Sequence, residues 1–457
     1  MGGSAANDIP AQVDVVVAGA GFAGLTAARA LEARGLSVCV VEARSRVGGR
    51  TMSGTVGGVP VDLGGQWLGT HQTLIMAEVA AQGLTLDKQY ESGRFALHLL
   101  GVRKSFGEDE EGMSFAASRD LARARHRLDA MAMSLPDDAW CGDMAAAWDA
   151  QTLETWISRN MWTAAAAQYL RLFVRSAFSC ETQQMSLLCF LDQLRAAGGF
   201  EIADGLEGGA QEFIVRGGMQ QVAEGIARDL RGPVCFEAPV RSISQGETCV
   251  EVTTDRGTVR AAQAIIALAP SLAARIDFAN ALPVMRTHLM QRMPMGTVIK
   301  LHLAYETPFW REKGFSGVGM SDELACGVMV DRSPDDLSKG VLVGFIDADK
   351  AVEYSARGRD ARRAAIIETA VTFFGEEARQ PIDYAELDWV GEEWSLGCYV
   401  SHAGPGVLTS FGEALRAPCG RVHWAGSETA TRGIGYVDGA MQSGLRAAEE
   451  VAARFVG

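Results

Sequence analysis

The 457-residue chain has no run of about 18 apolar residues, the length a membrane-crossing helix needs. Its opening stretch, MGGSAANDIPAQ, lacks the basic and apolar regions of a secretory leader. Its end, three residues past Arg454, carries no apolar tail. These absences predict a soluble, cytoplasmic protein without a membrane anchor. Positive charge is also in short supply. Lys and Arg total 42 against 56 Asp and Glu, a net charge of −14, which argues against a basic nucleic-acid-binding face. An acidic field mildly favours cationic ligands. Cysteine pairs are missing: residues 39, 141, 180, 189, 235, 249, 326, 398 and 419 form no CxxC, so neither a zinc site nor a disulfide framework is expected, and a reducing compartment fits. No segment has the compositional bias of a disordered tract. With 48% hydrophobic residues, the chain can bury two or three domain cores.

The strongest positive signal lies in the first fifty residues. The β-branched run 13–18, VDVVVA, reads as a buried parallel strand. It leads into Gly19-Ala20-Gly21-Phe22-Ala23-Gly24, then a helical pattern stopped by Gly35, then a second strand, SVCVVEA, ending at Glu42. This is a complete strand–GxGxxG–helix–strand–acid unit, an α/β Rossmann-type dinucleotide site. Gly19 permits the tight turn, Gly21 lets backbone approach a pyrophosphate, and Gly24 allows close helix–strand packing. The amides of the first helical turn, from Phe22 and Ala23 onward, face the phosphates. Glu42 stands 18 residues past Gly24, where it can accept hydrogen bonds from a ribose diol.

The chain continues Glu42-Ala43-Arg44-Ser45-Arg46-Val47-Gly48-Gly49-Arg50, a second glycine loop flanked by arginines able to bind phosphate. Two further blocks lie far downstream: Trp389 to Val400, which contains Cys398 and Tyr399, and Trp424 to Ala440, which contains Gly426-Ser427-Glu428 and Gly435-Tyr436-Val437. Taken in order, these blocks resemble the flavin-containing monoamine oxidase family over nearly the whole chain, from about Val13 to Arg454. The resemblance implies FAD as cofactor and the flavin amine oxidase fold, a Rossmann-type FAD-binding domain interleaved with an α+β substrate-binding domain. The expected layout is 11–85, 213–285 and 390–457 for the first, and 86–212 and 286–389 for the second.

The resemblance also implies residue roles. Tyr399 and Tyr436 match the two rings of an aromatic cage in front of the flavin, whose electron-rich faces suit an amine nitrogen. Lys300 matches the lysine that holds a water at flavin N5; an ammonium ending an apolar strand needs a reason to point inward. Gly64, Gly65, Gln66 and Trp67 lie in a segment beside the flavin ring. Glu428 takes the ribityl-contact position, and Val240 the position whose backbone meets adenine. Gly49, Arg50, Trp389, Gly426, Ser427 and Val437 complete the cofactor set. Cys398 matches the cysteine that carries a thioether to the flavin in animal monoamine oxidases, although related proteins bind FAD without that bond. Gln211, Asp204 and Ala177 are expected to line the substrate cavity, with Cys180-Glu181-Thr182 and residues 200–204 at its border. Animal monoamine oxidases have tryptophan where Gly433 stands, and an apolar residue near Asp204, so the substrate stays open.

The implied chemistry is removal of a hydride from the carbon next to an amine nitrogen, held about 3–3.5 Å from the acceptor, with O2 as final acceptor and H2O2 as product. No metal is called for. The partners expected are a small-molecule amine and O2, with a homodimer left open. Alternatives on the same scaffold are a polyamine or cyclic or N-heterocyclic amine oxidase, an L-amino-acid oxidase, a desaturase, an amine dehydrogenase using another acceptor, or a non-catalytic FAD-binding scaffold.

Overall fold

A computed structural model describes residues 9–107 and 112–455; most of the opening stretch read for a leader, residues 1–8, lies outside the described residues. The architecture is α/β. Strand Gln12–Ala18 sits inside an eight-stranded sheet, parallel to Val38–Val41 on one side and to Gly257–Ile266 on the other. Its residues Val15 to Ala18 are buried on both faces, which is why the run is continuously apolar rather than alternating. Helix Phe22–Ala33 covers one face and packs against helix Val437–Ala452. The contact is close because Gly444 has no side chain: a Cβ there would lie 2.2 Å from the carbonyl oxygen of Ala23.

Strand Gly257–Ile266 serves two partners. Its first half pairs antiparallel with Val250–Thr254, and Ala264 to Ile266 pair in parallel with Val422–Trp424. That pairing brings the C-terminal motif beside the first glycine loop: Ala267 donates to the Ala18 carbonyl at 2.8 Å, and Ala425 to the Ile266 carbonyl at 3.0 Å.

A second, seven-stranded sheet holds Val298–Tyr305 between Asp383–Asp388 and Gly340–Asp347. Every residue of VIKLHLAY is buried. Ile299, Leu301 and Leu303 face a cluster with Trp310 and Phe373. The opposite face carries Val298, Lys300, His302 and Ala304, and it looks toward the hairpin Ser53–Val56/Val59–Asp62. Helices Phe115–Met133, Ala164–Phe178 and Leu187–Ala197 build a third packed body. The first starts where Ser114 accepts from Ala117 N at 3.3 Å, and the last where Ser186 accepts from Cys189 N at 3.0 Å. Among the described residues no helix is long and apolar enough to cross a membrane.

Candidate functional site

A cavity of about 500 Å³ runs from the first glycine loop, past the second, into the helical body. At its first end the backbone is shaped for a ligand that approaches the chain itself. Gly19 has φ +102°, and a Cβ there would meet the Ala267 carbonyl oxygen at 2.9 Å. Gly49, at φ +59°, lies so near the first loop that its Cβ would stand 3.3 Å from the Gly21 Cα. Gly24 is not in the cavity wall; its Cβ would fall 1.9 Å from the Gly19 carbonyl oxygen, the close helix–strand packing expected of it. Gly21 caps helix Phe22–Ala33 with no side-chain hydrogen bond, leaving the first-turn amides directed at the cavity.

Both sequence-predicted arginines line this region, and both are already held by carboxylates. Glu42 accepts from the amides of Ala20 at 2.7 Å and Arg44 at 2.9 Å, fixing the turn. Arg44 pairs with Glu392 and donates to Ser395 Oγ at 2.7 Å. Arg50 grips Glu428 with two bonds, 2.6 and 3.1 Å, and donates to the Tyr399 carbonyl at 2.7 Å. Burial alone would push the Glu428 carboxyl up, but the Arg50 guanidinium outweighs it and holds the acid below its ordinary range. The second glycine loop is thereby clamped to both C-terminal motifs. Arg46, unremarked in the sequence beyond its motif, pins the same loop by donating to the carbonyls of Gly49 at 3.0 Å and Thr51 at 2.9 Å.

Deeper in, Lys300, Gln66, Trp67, Cys398, Tyr399 and Tyr436 converge on the cavity. Lys300 Nζ donates to the Gly64 carbonyl at 2.7 Å and to Gln66 Oε1 at 2.5 Å. It lies over the rings of Trp67 and Phe345, 5.7 and 5.5 Å from their centroids. Burial lowers its pKa to about 7 against the pull of Asp62, which raises it. Tyr399 meets Phe345 edge-on, centroids 6.4 Å apart, and Tyr436 caps helix Val437–Ala452 from the opposite motif. Burial pushes both phenols up, Tyr436 to about 12 and Tyr399 well above its ordinary value, so both rings present neutral hydroxyls. Cys398 precedes Tyr399 through a cis peptide bond, and burial raises its thiol to about 12.

The far end is apolar. Phe95, Phe173, Phe178, Leu206, Met320 and Val330 face it, with Ala177, Gln211 and Asp204 among them. Asp204 does not bring a free charge, because Arg125 from helix Phe115–Met133 is bound to it. Gln211 Nε2 donates to the Ala203 carbonyl at 3.2 Å, while its Oε1, like Gln66 Nε2, is buried with no protein partner. Two amide atoms left unpaired beside the cavity are what a polar ligand would satisfy. These two polar atoms, the glycine cradle and the uncapped helix fit an FAD with its pyrophosphate at the first loop.

Several expected residues stand behind the wall. Ala43, Val240, Trp389 and Glu428 are not among its lining residues. Trp389 is buried and donates to the Leu63 carbonyl at 2.9 Å, bracing the Gly64–Gln66 segment. Val240 follows Ala238, whose amide bonds to the Glu42 carbonyl at 2.8 Å, and its side chain packs into the core under the sheet. The border expected at Cys180-Glu181-Thr182 is corrected: Glu181 turns to Arg175 and Thr182 to Glu154, away from the cavity, and of 200–204 only Ala203 and Asp204 reach it. Residues the motifs did not mark include Phe345, Asp62 and His302, the last two buried. The last left a trace in the sequence, a second polar residue on the Lys300 face of an otherwise apolar strand.

Residues 22–452 match the family model described as flavin containing amine oxidoreductase. The chain is 37% identical over 447 residues to a flavin-containing amine oxidase of Danio rerio, covering 96% of this chain and 85% of that one. It is similar to the solved structure of wild-type putrescine oxidase bound to putrescine, with TM-score 0.93, 32% identity and coverage of 97% and 99%. The cyclohexylamine oxidase of Brevibacterium oxydans gives TM-score 0.91, 31% identity and coverage of 97% and 100%.

Proposed function

The chain belongs to the flavin-containing amine oxidoreductase family, and from that premise we propose that its substrate is a lipophilic monoamine with an aromatic or alicyclic body. The chemistry that FAD supplies when bound is acceptance of two electrons from the C–H beside an amine nitrogen, giving an imine, with O2 as terminal acceptor and H2O2 as product. The observation that carries the substrate reading is the apolar end of the cavity: of the two carboxylates among the described lining residues, Glu42 lies at the first glycine loop, and only Asp204 lies at this end, where it is paired with Arg125. A second ammonium, as on a diamine, would be buried there without a partner, which is costly.

The chain's own residues set up the reaction by position and charge. Tyr399 and Tyr436 wall the nitrogen with ring faces and put no acid beside it. An apolar chamber lowers the pKa of a bound amine, so its lone pair is free when the C–H is presented. Lys300 holds one edge of the site through Gly64 and Gln66, and it is the group we assign to holding water for O2 reduction. Cys398 reaches the cavity, but its buried thiol stays protonated even with Arg50 pulling its pKa down. A protonated thiol is a poor nucleophile, which favours FAD held without a thioether. The interleaved division at 85, 212, 285 and 389 is supported by sheet membership: strands 12–41, 234–278 and 422–424 share one sheet, and 94–106 with 298–388 share the other. Free cysteines throughout suit a reducing cytoplasm.

A peroxide assay on benzylamine, cyclohexylamine and putrescine tests the substrate reading. Either monoamine should exceed putrescine in kcat/KM by about tenfold or more, the discrimination expected for a charge that must be desolvated unpaired. A putrescine preference overturns it.

A further inference from the structure

Behind Lys300, away from the cavity, lies a buried polar seam that the reaction as described does not use. His302 is two residues along the same face of strand Val298–Tyr305 and is fully buried, with neither ring nitrogen bonded to protein. Asp62 closes the facing hairpin, also fully buried; its Oδ1 accepts from Met219 N at 2.8 Å and Ser53 Oγ at 3.2 Å, while Oδ2 has no protein partner. Arg332, which follows strand Val328–Asp331, is buried and faces Asp62, Asp87, Asp331 and Asp335, and its Nε is likewise unpaired. Asp87 continues the row outward, accepting from Arg216 at 2.8 Å, and the Arg216 side chain is 57% exposed.

Four unpaired polar atoms on three neighbouring side chains, between an active-site lysine and the surface, supply the two to four polar partners that an internal water needs. We propose that His302 and Asp62, through bound water, form a proton route joining Lys300 to the Arg332–Asp87 edge of the protein. The inference rests on the reading of Lys300 as the group that serves O2 reduction.

The reaction needs such a route. An alkylammonium entering the site gives up one N–H proton before its C–H is broken. The carbon then gives up a single hydride, one proton with its two electrons, to the cofactor, leaving an iminium ion. O2 takes two electrons and two protons to become H2O2, in a later step. The proton released first must therefore be stored or passed out, then returned, in a chamber with apolar walls. Lys300 is faced by Asp62, Arg332, Cys398 and His302. Burial and the two cations hold His302 neutral, able to accept a proton at one nitrogen and donate at the other. His302 and Asp62 act through Lys300 and are positioning residues.

The test combines a structural readout with kinetics. A high-resolution crystal structure of the wild-type FAD-loaded enzyme should show ordered water hydrogen-bonded to His302 and to Asp62 or Arg332; a dry seam overturns the proposal, whatever the variants do. In stopped flow, His302→Leu should slow reoxidation by O2 roughly 100-fold, the low end for loss of a proton-transfer group, and slow it more than it slows anaerobic flavin reduction by benzylamine. Asp62→Asn removes the charge that raises Lys300, so the pH at which reoxidation declines should move down, which a purely structural role would not produce. Unchanged reoxidation in His302→Leu, or an unmoved profile in Asp62→Asn, refutes the route. Lys300→Met separates the two readings. If it slows reoxidation while His302→Leu does not, only the route fails; if it leaves reoxidation unchanged, the role of Lys300 fails with it.

Discussion

Replacing Gly24 by alanine should weaken FAD binding far more than its one added methyl suggests. The new Cβ would sit 1.9 Å from the Gly19 carbonyl oxygen, 3.1 Å from the Gly19 carbonyl carbon and 3.2 Å from Val17 Cγ1. The first contact is roughly 1.5 Å short of ordinary van der Waals separation. Two of the three obstacles are backbone, so a rotamer change cannot relieve them. Helix Phe22–Ala33 must shift off strand Gln12–Ala18, and its first-turn amides move with it. Overpacking of this kind costs about 1–3 kcal/mol. If that cost falls on the cofactor loop, the Kd for FAD rises roughly 5- to 150-fold, at about 1.4 kcal/mol per factor of ten. Titration of the apoprotein with FAD, followed by flavin fluorescence quenching, measures it. Gly35→Ala is the control. Gly35 has φ +87° and nothing within 4 Å of a Cβ, so alanine there strains the backbone without touching the loop. It should lower Tm, by about 1–2 kcal/mol of stability, and leave the Kd for FAD unchanged. Equal FAD affinity in wild type and Gly24→Ala would refute the reasoning, as would an equal loss in both variants.

Tyr436→Ala should lower amine turnover by one to two orders of magnitude while FAD stays bound, consistent with loss of substrate positioning; wild-type turnover would remove the cage from the account. Acid precipitation of the purified protein should leave the yellow colour in the supernatant, and Cys398→Ala should not alter that; colour in the wild-type pellet means a thioether forms. Burial pushes Glu154 up, but Arg171 and the hydroxyls of Thr182 and Ser158 outweigh it and hold the carboxyl at about 2. A depressed folded pKa stabilises above the unfolded value and is lost as pH falls through the folded one. The Glu154 contribution, roughly 2–3 kcal/mol at most, is therefore present above about pH 4.5 and fades toward pH 2. Denaturant melts should show Glu154→Gln less stable than wild type at neutral pH, with the gap closing in acid; a gap independent of pH would contradict the assignment.

The nucleotide half of the site was legible because its chemistry is local. A tight turn, a helix N-terminus and an acid at the end of the next strand are adjacent in the chain, so residues 13–42 carry strand, loop and helix in one continuous pattern. The Lys300 strand was legible for a similar reason, since an ammonium within an apolar run has to be explained. The cavity border was harder to read. Cys180, Glu181 and Thr182 were expected beside the substrate, but Arg175 and Glu154 draw Glu181 and Thr182 the other way, and nothing near them in sequence announces those partners.

By itself the sequence determined the dinucleotide-binding unit and the cofactor class, and it marked two tyrosines that the fold brings to one cavity, because each rests on short stretches whose spacing dictates backbone shape or whose side chains recur in ordered blocks. Tertiary structure alone decided how charge is distributed around them. Asp204 is neutralised by Arg125, Glu428 by Arg50, and Lys300 shares its buried surroundings with Asp62 and Arg332. Whether a carboxylate is free to attract a substrate depends on which cation lies a few ångströms away. For residues 79, 378 and 238 positions apart in the chain, only the packing of the sheets and helices brings that cation there.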